Sequence, residues 1–395
     1  MDSAEAPSYL LLLPPVSEPY TSAVLREKYG KTIAEVLKEV ASHSEESPEA
    51  AVLEIAVACE HLVGAHDVPR AQLYDQTQAL VAGLYRLICV LAAEDNINVE
   101  DQDGVDVRLL LVAWSAKNPA KSAVSHTYGP IISLDVLARS ERPWRFAFGE
   151  ESQEGETIVR AFVEAKQHVH SSTELPRDSA KPTTESFRSR HRHVAVGGTF
   201  DHLHIGHKLL LTMTLFAVDQ DSNDQASSAT IGITGDQLLV KKKHANLVES
   251  WADRQRVVAK FLSALTDFSP LSAQVRPRIN VKWSESGPNG KSVDVRYASG
   301  LTLKHTEIQD PFGPTITDEQ ISALVISAET RSGGNAVNEK REARGWSMLE
   351  VFEVDVLDGP AESDSGNNGV KTDFENKLSS SAIREKLARK SQGKI

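Results

Sequence analysis

The sequence predicts an α/β protein: a parallel sheet covered by helices on both faces fills the second half, and a separate α/β domain precedes it. Three observations carry this expectation. From residue 192 onward, short apolar runs rich in Val and Ile alternate with helical runs. Between the first of those strands and an apolar helix stands a glycine pair, Gly197 and Gly198. Residues 168–191, rich in Ser, Thr, Pro, Arg and His and without periodicity, separate two halves that each mix strands with helices. The expected division is a domain at 1–167, a flexible linker at 168–191 and a second domain at 192–395.

Composition narrows the class. At 395 residues, 40% hydrophobic and 25% charged, the chain can build two cores. Its only cysteines, Cys59 and Cys89, lie in apolar runs, which fits a reducing compartment and no disulfide framework. No apolar run is expected to reach membrane-spanning length, and the early SYLLLLPP stretch lacks a signal peptide's basic flank, so a cytoplasmic protein without a membrane partner is expected. A formal charge of −12 argues against nucleic acid, whose binding rests on neutralising many phosphates.

In the first half, residues 9–13 read as a buried strand closed by Pro14 and Pro15, and 22–40 as a helix. A second helix is expected at 48–63, with Ser47 as N-cap, Pro48 in the first turn and Gly64 as C-terminal cap. Residues 70–94 carry a broad apolar helical face, and 105–114 look like a central strand. The acidic stretch 94–106 lacks the ligand spacing and central glycine of an EF-hand and reads as a solvated loop. His168, His170, His191 and His193 are too loosely spaced for a metal site and read as linker.

In the second half, strands are expected at 194–196, 229–234, 275–283, 301–309, 323–327 and 348–357. Helices are expected from 205 and at 252–265, 335–344 and 381–390. GPNGKS at 287–292 ends like a phosphate-binding loop, but Glu285 replaces the required first glycine and no helix follows, so a hairpin tip is expected.

Chemistry concentrates at 193–219, HVAVGGTFDHLHIGHKLLLTMTLFAVD. A strand, a glycine turn and a helix aim the free N–H groups of the helix's first turn beyond the strand's end, where phosphate is a favoured occupant. His204 and His207, three apart, can put both rings on one side of that turn, and Gly206 between them lets a flat base approach the backbone. GGTFDHLHIGHK resembles the signature of the nucleotidyltransferase superfamily, a Gly-Thr-Phe-Asp turn followed by His-x-Gly-His. The resemblance implies a Rossmann-like domain and a nucleotide site including Gly197, Gly198, Phe200 and Gly206.

Three later stretches bear on the acceptor. TGDQLLVKKKH supplies Lys241, Lys242 and Lys243 after a strand. VISAETRSGGNAVNEKR resembles a segment of the eukaryotic phosphopantetheine adenylyltransferases, with Ser327, Glu329, Thr330, Gly333, Gly334, Asn338 and Arg341 in the matching places. Arg331 stands where that family often has an aromatic residue followed by arginine. KLSSSAIREKL matches the same family's Ser-Ser-Ser/Thr-x-x-Arg motif through Ser379, Ser380, Ser381 and Arg384. Together these identify the second half as similar to the fungal-type members of that family.

The resemblance implies adenylyl transfer from ATP to 4′-phosphopantetheine, giving dephospho-coenzyme A and pyrophosphate in coenzyme A biosynthesis, with Mg²⁺ arriving with ATP. It implies that Thr199, His204, His207 and Lys242 act on the phosphates, and that Ser379, Ser380, Ser381 and Arg384 hold the nucleotide. It further implies that Arg331, Asn338 and Arg341 contact the acceptor. Two other readings compete: a cytidylyltransferase acting on a phosphorylated alcohol, and a scaffold whose N-terminal domain associates with other coenzyme A enzymes.

Overall fold

The structure, a computed structural model, describes residues 6–44, 50–99, 104–117, 128–167, 189–220, 226–270, 278–355 and 379–392. The chain forms two compact units, one from residues 1–188 and 263–277, the other from 189–262 and 278–395, each taken over its described residues. Residues 168–188 of the expected linker, with His168 and His170, lie outside the described residues, as do Ser47, Pro48 and the centre of the acidic loop.

The first unit is a five-stranded parallel sheet in the order β4-β3-β2-β1-β5. Its strands are β1 (Ser8–Leu13), β2 (Val52–Ala58), β3 (Asp106–Val112), β4 (Ile131–Ile132) and β5 (Trp144–Gly149). Its helices are α1 (Ser22–Ser44), α2 (Arg70–Glu94), α3 (Leu134–Arg139) and α4 (Gln153–Gln167).

The helix expected at 48–63 is wrong, because its centre is β2, whose seven residues are all buried between β1 and β3. A strand covered on both faces has no polar side to mark its two-residue period, so its apolar run imitates a buried helix. Gly64 opens a short 3-10 turn (Ala65–Asp67) instead of ending a helix. α2 also corrects the expectation on spanning length: it is long and apolar enough to cross a membrane, but 72% of its most apolar window is buried inside the unit. That burial is what a core helix in a sheet domain shows, and the Leu109 N–H donates to the Tyr85 hydroxyl, tying α2 to β3.

The second unit is a seven-stranded sheet in the order β12-β11-β6-β7-β10-β9-β8. The strands are β6 (His193–Gly198), β7 (Ser227–Thr234), β8 (Arg278–Gly287), β9 (Gly290–Tyr297), β10 (Leu301–Ile308), β11 (Ala323–Ser327) and β12 (Glu350–Val354). Helices α5 (Ile205–Phe216), α6 (Trp251–Thr266, the second unit's part ending at Leu262), α7 (Arg331–Glu342) and α8 (Ser380–Gln392) complete it. From β12 to β10 the strands are parallel. At the other edge, where the sequence read a hairpin tip, β8 and β9 form an antiparallel hairpin against β10. Residues 287–292 are its tip, with Gly287 paired to Gly290.

Placement of the site follows from this order. The chain runs from β6 to β7 and β10 on one side, then returns to β11 on the other side of β6. A reversal of this kind opens a crevice beyond the carboxyl ends of β6 and β11. Helix α5 starts there, and its remaining length, from Leu209 to Phe216, is buried around its whole circumference. The expected linker also ends too late. His191 is 3% exposed, its ring bonded to the Ser322 hydroxyl at 3.0 Å and the Glu350 carboxylate at 2.8 Å, so it belongs to the sheet's amino-terminal edge.

Candidate active site

The turn between β6 and α5 is built under strain. Phe200 and His202 both take left-handed backbone, with φ of 52° and 48°, each costing of order 1–3 kcal/mol outside glycine. Three neighbouring groups hold it. Arg254, fully buried at the start of α6, donates to the Thr199 carbonyl at 2.7 Å and to Asp236 at 2.6 Å. Glu249 accepts from the His202 N–H at 2.8 Å, and its own N–H donates to Asp201 at 2.9 Å. Arg384 of α8 pairs with Asp201, and both side chains are almost wholly out of water.

Inside that frame the two signature histidines stack, ring centroids 3.9 Å apart and 27° from parallel. His207 also packs on Phe200 at 5.4 Å. His204 sits at the N-cap position of α5 but makes no side-chain cap, so the helix's first N–H groups keep no capping side chain. Both Nδ1 atoms are buried without a hydrogen-bond partner among the described residues. Burial first, then the Lys208 ammonium, pulls His204 down to about 4. Burial, His204 and Lys242 hold His207 well below the usual imidazole range. The free N–H groups of an uncapped helix start, with two neutral rings beside them, make a binding place for an anion rich in acceptors.

This arrangement predicts a pH dependence of stability. An unfolded chain binds a proton at His204 near pH 6.5, which the folded chain refuses until about pH 4. Stability therefore falls as pH drops below about 6.5 and is insensitive to this group above it; at pH 5 the loss is about 2 kcal/mol. Urea unfolding at pH 7 and pH 5 checks it. His204→Gln should shrink the difference by that amount, and an equal difference in both proteins would exclude His204.

Thr199 and Lys242 meet directly, the ammonium donating to the Thr199 hydroxyl at 3.2 Å. Burial, then Arg384, lowers the pKa of Lys242, with Asp201 opposing. Lys243 instead pairs with Glu385 at 2.9 Å. The triple-serine turn lies against the same loop: Ser380 donates to the Asp201 carbonyl at 2.7 Å, Ser379 caps α8 through the Ala382 N–H, and Ser381 accepts from Arg384. Gly197 leaves open space, the nearest side-chain atom being 4.0 Å from where a Cβ would stand.

Several readings change. A Cβ at Gly206 would stand 3.2 Å from the His204 ring, so the glycine gives room to the histidine before any base. Phe200 is fully buried, its ring within 3.2 Å of a Cβ at Gly198, and it supports His207 from beneath. Arg341 is not free for a substrate: it is 1% exposed and donates to the carbonyls of Ser347, Thr315, Glu319 and Ile321. Asn338 likewise bonds both N–H and C=O of Leu349, fastening α7 to the residue just before β12. The guanidinium of Arg331 pairs with Glu353, with Nε 2.7 Å from the carboxylate, but it is 69% exposed, so the pair is a displaceable surface one. Arg254 and Glu249 were not foreseen. Nothing in ESWADRQR separates the buried Arg254 from Arg256, which pairs with Asp253 at the surface.

Residues 195–386 match the family model described as cytidylyltransferase-like, and residues 1–183 match a domain of unknown function (DUF8446). With the fold and the loop geometry, this makes the second half a cytidylyltransferase-like domain of the nucleotidyltransferase class. Among relatives, an uncharacterized protein of Schizosaccharomyces pombe is 34% identical over 197 residues, covering 49% of this chain and 48% of its own. The phosphopantetheine adenylyltransferase of Saccharomyces cerevisiae is 33% identical over 188 residues, covering 48% and 49%. That of Methanopyrus kandleri is 28% identical over 172 residues, covering 43% of this chain and 83% of its own. The chain thus spans about half the length of the two fungal relatives.

Proposed function

We propose that the protein transfers the adenylyl group of ATP to 4′-phosphopantetheine, releasing pyrophosphate and dephospho-coenzyme A. The observation that carries this is the uncapped start of α5, where two stacked, neutral imidazoles and the Lys242–Thr199 pair converge on one strained turn. Relatives named phosphopantetheine adenylyltransferase support the choice of acceptor.

The acceptor phosphate is already an anion at neutral pH and needs no general base, so positioning and charge stabilisation carry the reaction. One acceptor oxygen attacks the α-phosphorus of ATP while the bond to the β-phosphate oxygen breaks and pyrophosphate leaves. Thr199 and Lys242 orient the attacking phosphate and the α-phosphate. His204 and His207 each donate one N–H to oxygens that gain charge. The Ser380 and Ser381 N–H groups at the start of α8 and the Ser381 hydroxyl take the distal phosphates, since the Ala382 N–H is capped by Ser379 and the Ser380 hydroxyl is engaged with Asp201. Mg²⁺ enters with ATP as part of the substrate, because Asp201, the carboxylate of this turn, is buried against Arg384.

Incubating the full chain with ATP, Mg²⁺ and 4′-phosphopantetheine should yield dephospho-coenzyme A by mass; product with CTP alone would favour the cytidylyl reading that the family description suggests. Lys242→Ala should lower pyrophosphate release about 100-fold, whereas Lys243→Ala should stay within about 3-fold. Equal losses in the two variants would remove Lys242 from its role.

A further inference from the structure

We propose that the first unit holds a ligand site of its own, beyond the carboxyl ends of β1 and β2, that takes a small molecule bearing an ammonium group. β1 and β2 are adjacent and parallel, Leu13 opposite Val57, and ligands of open parallel sheets collect beyond such ends. A cavity of about 140 Å³ lies there. Ser17, Glu18 and Tyr20 line it after β1, Cys59, Glu60 and His61 after β2, and Gln76 from α2. An apolar cavity of about 150 Å³ admits benzene, which sets the ligand at about six heavy atoms.

Its chemistry is the reverse of a phosphate site. Among the described residues the lining contains no lysine or arginine but two carboxylates, Glu18 and Glu60. Burial pushes the Cys59 thiol up to about 12 and pulls His61 down to about 4, so both are neutral near pH 7. His61 is held by its Nε2, 2.9 Å from the hydroxyl of the fully buried Thr77, and Glu60 accepts from the Ser115 hydroxyl at 2.8 Å. Lys117, 3.9 Å from Glu60 and 81% exposed, lies outside the lining and offers only a weak, displaceable surface pair. An anion entering here meets two like charges, whereas an ammonium group meets a modest attraction, because both carboxylates are exposed at the rim.

The test uses the full chain and cyclopentylammonium, an ion of about six heavy atoms matched to the cavity, with cyclopentanol and inorganic phosphate as controls. Ligand-observed NMR should give saturable binding of the ammonium at about 1 mM and at least about 5-fold weaker binding of the alcohol and phosphate. Glu60→Gln should weaken the ammonium about 5-fold, Glu18→Gln with Glu60→Gln about 10-fold, and Ser17→Trp, at an exposed position of the rim, should block it. Each variant is compared at unchanged melting temperature. The inference is overturned by no saturable binding up to about 20 mM, by equal binding of the alcohol or phosphate, or by indifference to all three variants.

Discussion

Replacing His207 with alanine is expected to lower pyrophosphate release about 100- to 1000-fold, the usual loss when one charge-directed donor is removed from a preorganised site. The magnitude is large because the ring is neutral, part-buried and fixed. It stacks on His204 at 3.9 Å, rests on Phe200, and keeps a buried Nδ1 without a partner. A donor held in this way pays no reorganisation when charge develops on a phosphate oxygen, whereas a solvent-exposed imidazole would. The variant's fold should survive, because the loop is held by Arg254, Glu249 and Arg384 and not by His207. Steady-state kinetics beside a urea titration checks both halves; near-normal turnover from a folded variant would exclude the ring from the chemistry.

The largest effect on stability is expected at Arg384. Its guanidinium reaches the carboxylate of Asp201, the carbonyl of Lys243 at 3.1 Å and the hydroxyl of Ser381 at 3.1 Å, and only 1% of it is exposed. Arg384→Leu leaves Asp201, which has no exposure at all, as an uncompensated buried charge, and such losses run to about 3–5 kcal/mol. Adding Asp201→Asn should recover part of it, since a neutral amide tolerates burial better. A loss below about 1 kcal/mol, or no recovery in the double variant, would show that the pair is not what docks α8. Activity should fall with stability here, because the same contact brings the serine turn to the signature loop through the Ser380–Asp201 bond.

Legibility in the sequence followed how local the cause was. Strand β11 lies where it was read, and β1, β7, β10, α2 and α6 fall within two residues of their expected bounds, because apolar runs bounded by turn residues are local signals. β2 failed for want of a polar face, and α3, β5 and α4 went unnoticed in a stretch of short elements with mixed patterning. At the site, Thr199, Lys242, His204, His207 and the serine run are brought to one turn, as contiguous motifs allow. Arg341 and Asn338 were misjudged because a motif match does not say whether a polar side chain faces ligand or backbone.

The amino-acid sequence alone determined the α/β class, the strand–glycine–helix loop and the pair of rings at its helix start, since each depends on residues within a few positions of one another. Only the tertiary structure decided which cations stay at the loop and which are consumed. Arg254 and Arg384 come from elements 55 and 183 positions away in their contacts, and they spend their donors on Thr199 and Asp201. Arg341 spends its donors on loop carbonyls, and Lys242 keeps its ammonium at the Thr199 hydroxyl. The reason is that a guanidinium's role is set by the acceptors packed around it, and those acceptors are neighbours in space long before they are neighbours in sequence.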